Sequence, residues 1–260
     1  MIEFKNLYKS YDSKVIINNL NLKIKTAETK VIIGRSGAGK SVLLKTINGL
    51  VKPDSGTIEV DGVDVTKLSE KEFNKIRMEM GMVFQNGALF DSLSVAENVS
   101  FVLDEFMNLD RNVVREKVAD ALSLVGLKGV EHLMPASLSG GMRKRVSLAR
   151  VLCMEPQIIF YDEPTTGVDP VTADALNNLI NELRDKLKVT SIVVTHDMNA
   201  AFKVADSVAM LYCGSIIADG SVEEIRRSQH PVVHQFINGN ASGPITDGEF
   251  MRFDETSRGD

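Results

Sequence analysis

Residues 34–41 read GRSGAGKS and lie between an apolar run, KVIIG (30–34), and the helix-like stretch SVLLKTINGL (41–50). The spacing G-x-x-x-x-G-K-[ST], bounded by a short buried strand and an apolar helix, is a phosphate-binding loop in the context that motif requires. Gly34, Gly37 and Gly39, with Ser36 between them, let successive backbone N–H groups curve around phosphate. Lys40 is placed to reach the β- and γ-phosphates, and the Ser41 hydroxyl to ligate Mg²⁺. A chain built around this unit is committed to an α/β core that holds ATP and Mg²⁺ at the C-terminal ends of its strands.

Other short apolar runs end in residues suited to the same ligand. IIFYDE (158–163) is a buried strand ending in two acids. Asp162 would hold the Mg²⁺ water shell, and Glu163 would sit beside the γ-phosphate and polarise an attacking water. The strand TSIVVTH (190–196) ends in His196, a candidate γ-phosphate contact, and GMVFQ (81–85) ends in Gln85, whose amide could ligate Mg²⁺ or the attacking water. His132, His230 and His234 have no metal spacing and read as surface residues.

The remaining chain arranges itself around these strands. The first thirty residues alternate apolar and polar, as half-buried antiparallel strands do, and Asp61-Gly62 signals a tight turn. From about Asn86 to Val151 the pattern becomes helical; NVVREKVADALSLVGL sets Val114, Val118, Ala121, Leu122 and Val125 on one face. This reads as a helical subdomain inserted into the α/β core. A helix runs from Pro170 to Lys186 with Asp169 as its N-cap. SVAMLYCGSIIADG (207–220) reads as a closing hairpin. The expected domain covers residues 1–229, and 230–260, with few core-formers, reads as an extended or partly disordered C-terminal extension.

LSGGMRKR (138–145) is a second anion site: a serine, two glycines and a helix N-terminus together. A second cradle for the same nucleotide is redundant within one fold. It has a use if two copies pack head to tail with two-fold symmetry, each setting Ser139, Gly140 and Gly141 over the γ-phosphate held by the other. The RKR that follows reads as a basic, solvated helix face. A net charge of −5 without blocks of like charge argues against nucleic acid. No apolar run reaches the length of a membrane span, the N-terminus has no secretory pattern, and Cys153 and Cys213 read as buried thiols in a reducing compartment, so the expected location is cytosolic.

The loop, Gln85, LSGGM, IIFYDE, TTGVD and THD, in that order, resemble the nucleotide-binding subunit of ABC transporters over roughly residues 2–227. The resemblance implies that Tyr11 stacks on adenine, that Ser139 and Gly141 complete a second copy's site, and that Thr166–Asp169 form the loop at the dimer seam. Two positions depart from the family pattern. Met142 stands where glutamine is commonest, and Thr-Gly-Val-Asp replaces Ser-Ala-Leu-Asp; neither removes a catalytic group.

QNGALFDSL after the strand, LMPASLSGGM into the signature and DEPTTGVDPVT are similar to the ATPases of MCE-type lipid transport systems, the Mla phospholipid system among them; HQFINGNASGPI (234–245) is similar to the extension that reaches across to a neighbouring ATPase subunit there. That resemblance implies a permease pair, an MCE-domain substrate-binding protein, in some systems a STAS-domain protein, and a place on the cytoplasmic face of a bacterial inner membrane. Leu89, Phe90, Leu93, Val95 and Phe101 would line a groove for a permease helix, some of them serving as core. The alternatives are the ATPase of another ABC importer, for amino acids or metals, and a non-transport ABC ATPase. The latter lacks support, since neither a long coiled coil nor a second cassette is present.

Overall fold

The apolar runs that end in site residues become adjacent strands of one sheet, and this adjacency builds the site. The computed structural model describes residues 1–12 and 14–246. An antiparallel pair, β1 (Ile2–Tyr11) and β2 (Lys14–Ile24), leads into β3 (Thr29–Ile33) and α1 (Lys40–Ile47). Then come β4 (Ser55–Val60), β5 (Val63–Asp64), α2 (Glu70–Arg77) and β6 (Met80–Val83). The helices α3 (Val95–Phe106), α4 (Arg111–Leu124) and α5 (Gly140–Leu152) occupy the span before β7 (Ile158–Asp162). The chain continues through α6 (Pro170–Leu187), β8 (Thr190–Thr195), α7 (Met198–Val204), β9 (Ser207–Tyr212), β10 (Ser215–Ser221), α8 (Val222–Arg226) and α9 (Pro231–Asn238).

Among the described residues the strands form an antiparallel sheet, β2-β1-β4-β5, and a larger sheet, β10-β9-β3-β8-β7-β6. Within the larger sheet β9, β3, β8, β7 and β6 run parallel, and β10 pairs antiparallel with β9. Parallel strands covered on both faces read as continuous apolar runs, which is why β3 and β7 show no alternation in sequence. The two faces nevertheless pack against different partners. Val31, Ile33, Ile159, Tyr161 and Val193 join the cluster formed with α3–α7. Ile32, Ile158, Phe160, Ile192 and Val194 join the cluster under α1 and the antiparallel sheet. The ends of these strands are level, since Ile33 pairs with Thr195 and Asp162 with Val194.

Local signals place several boundaries. Asp61 and Gly62 both have positive φ, 47° and 83°, the requirement of the two-residue hairpin turn between β4 and β5. The Asp169 carboxylate accepts from the N–H groups of Val171 and Thr172, capping α6, with Pro170 in its first turn. Val118, Ala121, Leu122 and Val125 of the helical stretch are buried, and Val114 packs at the edge.

Two expectations fail. The segment from His230 is not extended: Pro231 starts α9, Gly239 ends it in the left-handed conformation, and Val232 and Val233 enter the main core. Gln235 then ties down the chain that follows. Its Oε1 accepts from the Ile245 N–H at 2.8 Å and its Nε2 donates to the Asn240 carbonyl and the Thr246 hydroxyl. The domain's packing therefore runs past residue 229 to at least Ile245. The end of the predicted extension, 247–260, lies outside the described residues. Of the two cysteines only Cys153 is buried; Cys213 sits exposed in the β9–β10 turn with φ 49°.

Candidate nucleotide site

The sheet order β3-β8-β7-β6 sets four loop starts side by side at one edge. β3 delivers the glycine-rich loop, β8 delivers Thr195 and His196, β7 delivers Asp162 and Glu163, and β6 delivers Gln85. A cavity of about 270 Å³ is lined by Ser36, Gly37, Gly39, Lys40, Ser41, Gln85, Glu163 and His196, together with Ile16 and Val42. Such a crevice beyond the carboxyl ends of parallel strands is where open α/β sheets bind ligands.

The loop is a cradle only because of its glycines. A Cβ on Gly34 would stand 2.5 Å from the Leu211 carbonyl oxygen, and one on Gly39 would stand 3.0 Å from Ile16 at a φ of 101°. Inside the curve, the Lys40 ammonium donates to the Gly34 carbonyl at 2.7 Å and the Arg35 carbonyl at 3.0 Å. Burial pulls this ammonium below the ordinary lysine value, opposed by the charges of Glu163 and Asp162. A buried cation that lines a cavity together with a glycine-rich loop suits a polyanion.

The two acids are held differently. Asp162 accepts from the Ser41 hydroxyl at 2.9 Å. Burial pushes its carboxyl above the usual aspartate range, and the Ser41 hydrogen bond opposes this. Ser41, Asp162 and Gln85 offer hard oxygen donors. They suit Mg²⁺, which keeps several waters and takes one or two protein carboxylates rather than a closed cage. No group of three or more His, Cys, Asp or Glu residues among the described residues could hold a metal by itself.

Glu163 is the most constrained side chain in the site. Its backbone lies in the left-handed region at φ 50°, where a non-glycine residue is strained, and its N–H donates to the Val194 carbonyl. One carboxylate oxygen lies 2.8 Å from His196 Nδ1 and 3.8 Å from Lys40 Nζ. The other accepts from the hydroxyls of Thr166 and Thr195, each at 3.3 Å. Thr195 was not predicted as a site residue; a hydroxyl one position before His196 on a fully buried strand was the available signal. A carboxylate fixed on both oxygens beside an anion pocket can take a proton from a water attacking that anion.

The predicted residues divide into two groups. Ser36, Gly37, Gly39, Lys40, Ser41, Gln85, Glu163 and His196 converge on the cavity, with Asp162 joined to them through Ser41 and Gly34 through Lys40. Tyr11, Ser139, Gly140, Gly141 and Asp169 do not line the cavity. Tyr11 is 45% exposed at the end of β1, with the Lys9 ammonium 5.2 Å from its ring centroid. Ser139 is exposed and caps α5 by accepting from the Met142 N–H, and Gly141 is pressed against Thr172, beside the α6 cap. The α5 N-terminus therefore packs beside the start of α6 and does not line the cavity of the chain's own phosphate loop. The predicted solvated face at 143–145 is corrected as well: Lys144 is buried, and Arg145 donates to the Val125 carbonyl at 2.7 Å. Successive helical residues are about 100° apart, so three in a row cannot share one face.

Asp162 gives a stability test. A carboxyl whose value is raised on folding destabilises the fold at every pH above that raised value. The cost disappears as pH falls below the ordinary aspartate value, where the unfolded chain is protonated too. Asp162→Asn keeps an oxygen for Ser41 and removes the charge. It is expected to raise the Tm of the nucleotide-free chain at pH 7.5. The gain should fade toward pH 4. An unchanged or lower Tm by scanning calorimetry contradicts the burial argument.

Comparison with known proteins agrees with this geometry. A family model described as ABC transporter matches residues 17–166. MlaF of Haemophilus influenzae, an intermembrane phospholipid transport system ATP-binding protein, is 42% identical over 245 residues, 94% of this chain and 93% of that protein. The probable ribonucleotide transport ATP-binding protein mkl of Mycobacterium leprae is 43% identical over 244 residues, 94% of this chain and 70% of its own length. Among solved structures, the dimeric ATP-binding cassette MJ0796, in a post-hydrolysis state bound to ADP and Pi, superposes with a TM-score of 0.78 at 31% identity, covering 85% of this chain and 99% of that one.

Proposed function

Since the chain belongs to the ABC transporter family and is an ATPase of that kind, we propose that it powers the movement of lipid, specifically phospholipid, across a bacterial envelope. In this reading it works as a homodimer on the cytoplasmic face of the inner membrane, under a separate permease and an MCE-domain substrate-binding protein; a STAS-domain protein is a further candidate partner. The observation that carries the cargo assignment is the similarity to MlaF, which runs nearly end to end in both chains. Among the described residues no helix is long and apolar enough to cross a membrane, so the reading requires a separate permease.

The chemistry follows from the cavity. The loop N–H groups and Lys40 bind the β- and γ-phosphates of ATP, and Tyr11 stacks on adenine. Ser41, Asp162 and Gln85 would hold Mg²⁺, which when bound would neutralise charge on the phosphates. Glu163, oriented by Thr166 and Thr195, accepts the proton of the attacking water, and His196 moves from Glu163 to the γ-phosphate. Ser139, Gly140 and Gly141 of a second copy close over the same γ-phosphate, and Asp169 keeps the seam loop and α6 in register. ATP then joins two chains, and hydrolysis releases them.

The transmitted motion needs a grip on the permease. Of the residues predicted for that groove, Val95 is core, Leu89 and Leu93 are partly buried, and Phe90 is 42% exposed. Phe90 stacks on Phe101 with ring centroids 4.5 Å apart, giving an aromatic wall beside the loop that starts at Gln85. The name of mkl favours a second reading, in which the same ATPase serves a different cargo. Gentle detergent isolation of the tagged chain from its own membranes, followed by mass spectrometry of retained proteins and lipids, separates them. A permease with an MCE-domain protein and phospholipid is expected. A permease with a soluble periplasmic binding protein would discard the lipid assignment, and ribosomes or DNA-repair proteins would discard transport.

A further inference from the structure

The loop after β6 is fastened to α5 by side chains that the nucleotide chemistry leaves unused. Lys144, in the second turn of α5, is 8% exposed, and its ammonium donates to the carbonyl of Gln85. Six residues on, Arg150 donates through Nη1 to the Ala88 carbonyl at 2.7 Å and through Nη2 to the Gly87 carbonyl at 3.0 Å. Gly87 itself lies against α5: a Cβ there would meet Ser147 at 3.5 Å and the Arg143 carbonyl at 3.6 Å. The far end of the loop is held by Asn98 of α3, whose side chain accepts from the Phe90 N–H and donates to the carbonyls of Phe90, Leu93 and Ser94.

Lys144 is held at this position against a desolvation cost. Burial pulls its ammonium below the ordinary lysine value, and the charge opposing that effect is Glu163. A buried ammonium without a paired carboxylate is costly, whereas its bond to a carbonyl at the Gln85 peptide fixes the direction from which the Gln85 amide enters the cavity. Ser139 and Lys144 are five residues apart on one helix end, about 7.5 Å along its axis. A displacement of the α5 N-terminus is therefore delivered through a rigid element to the Gln85 peptide.

We infer that Lys144 is a positioning residue that couples the two ATP sites: it ties Gln85 of one site to the helix whose Ser139–Gly141 end serves the other. The inference rests on the head-to-tail dimer proposed above. When a second copy's nucleotide draws in Ser139, α5 moves as a unit and Gln85 moves with it. Closure at one site then sets the metal- and water-facing amide in the other.

Lys144→Met keeps the stem and removes the tie; Lys144→Arg restores a donor. In the nucleotide-free full chain, Lys144→Met should speed hydrogen exchange of the Gly87 and Phe90 amides by about tenfold while leaving β3 unchanged. In turnover, the KM for ATP should stay within about twofold while kcat falls by about tenfold and the Hill coefficient drops from about 2 toward 1. Lys144→Arg should recover most of both. Unchanged exchange at Gly87 and Phe90 overturns the tie whatever the oligomeric state. Faster exchange with normal kcat and cooperativity overturns the coupling. If Lys144→Met does not fold, Lys144→Leu, which likewise has no donor, carries the same expectations. The dimer reading fails by a different sign: a Glu163→Gln chain that stays monomeric in ATP, which would overturn the coupling with it.

Discussion

Glu163→Gln is expected to cut ATP turnover by about 10²–10⁴-fold, the usual worth of a positioned general base, while the chain binds ATP at least as well as before. The reason lies in the neighbours. Glutamine keeps one oxygen for the threonine hydroxyls and turns an NH2 donor toward His196 Nδ1, which accepts in the neutral tautomer, so the site holds its shape. It loses the charge that lies 3.8 Å from the Lys40 ammonium, which frees that cation for phosphate. A nucleotide that is held and not hydrolysed should keep two chains together, so the variant with ATP should elute as a dimer in size-exclusion chromatography and return to monomer with ADP. Turnover within a few-fold of the unmodified chain, in a coupled phosphate-release assay, would remove Glu163 from the role of base.

Lys40→Ala is expected to weaken ATP binding by about 10²–10³-fold, the loss of roughly two charge-assisted hydrogen bonds. Its effect on folding should be small by contrast. The ammonium is dehydrated in the nucleotide-free chain, so removing it relieves a desolvation cost. It also leaves the Gly34 and Arg35 carbonyls without that partner and Glu163 without a nearby cation. These contributions oppose one another, so Tm should shift by only a few degrees while affinity collapses. Titration calorimetry with ATP checks the first part and a thermal scan the second. Unchanged affinity would show that the cradle is not where the phosphates sit.

The residues that come together at the cavity were legible because each lies at or just beyond a strand end with its own local signature. A glycine-rich loop between a buried strand and a helix, and acids or a histidine closing apolar runs of five or six residues, require no tertiary knowledge. Their convergence required only that those strands be neighbours, which parallel runs of this kind favour. The errors fall where packing overrides composition. Lys144 looks like one of three solvated charges, yet it is followed by Val146, Ser147, Leu148 and Ala149, all buried, and the helix turns it inward. The stretch after His230 looks poor in core-formers. Its Val232, Val233, Phe236 and Ile237 nonetheless occupy one helical face between a proline start and a glycine stop, a pattern of four residues that a search for longer periodicity passes over. Cys213 is out in solvent because the β9–β10 turn needs two residues of positive φ, and turn geometry outweighs the usual burial of thiols. Thr195, and the contact of Thr166 with Glu163, become visible only once the chain turns in the left-handed conformation at Glu163.

The central claim is that the two anion sites on one chain serve two different nucleotides, and mixing two defective chains tests it. One chain carries Lys40→Ala and keeps Ser139; the other carries Ser139→Arg and keeps Lys40; both carry Glu163→Gln so that bound ATP persists. Neither chain alone should dimerise in ATP. When mixed with different tags they should co-purify as a pair holding one ATP, because a single intact site forms from the Lys40 of one chain and the Ser139 of the other. No ATP-dependent association in the mixture, with each chain folded, would mean that both anion sites act within one chain and would contradict the account.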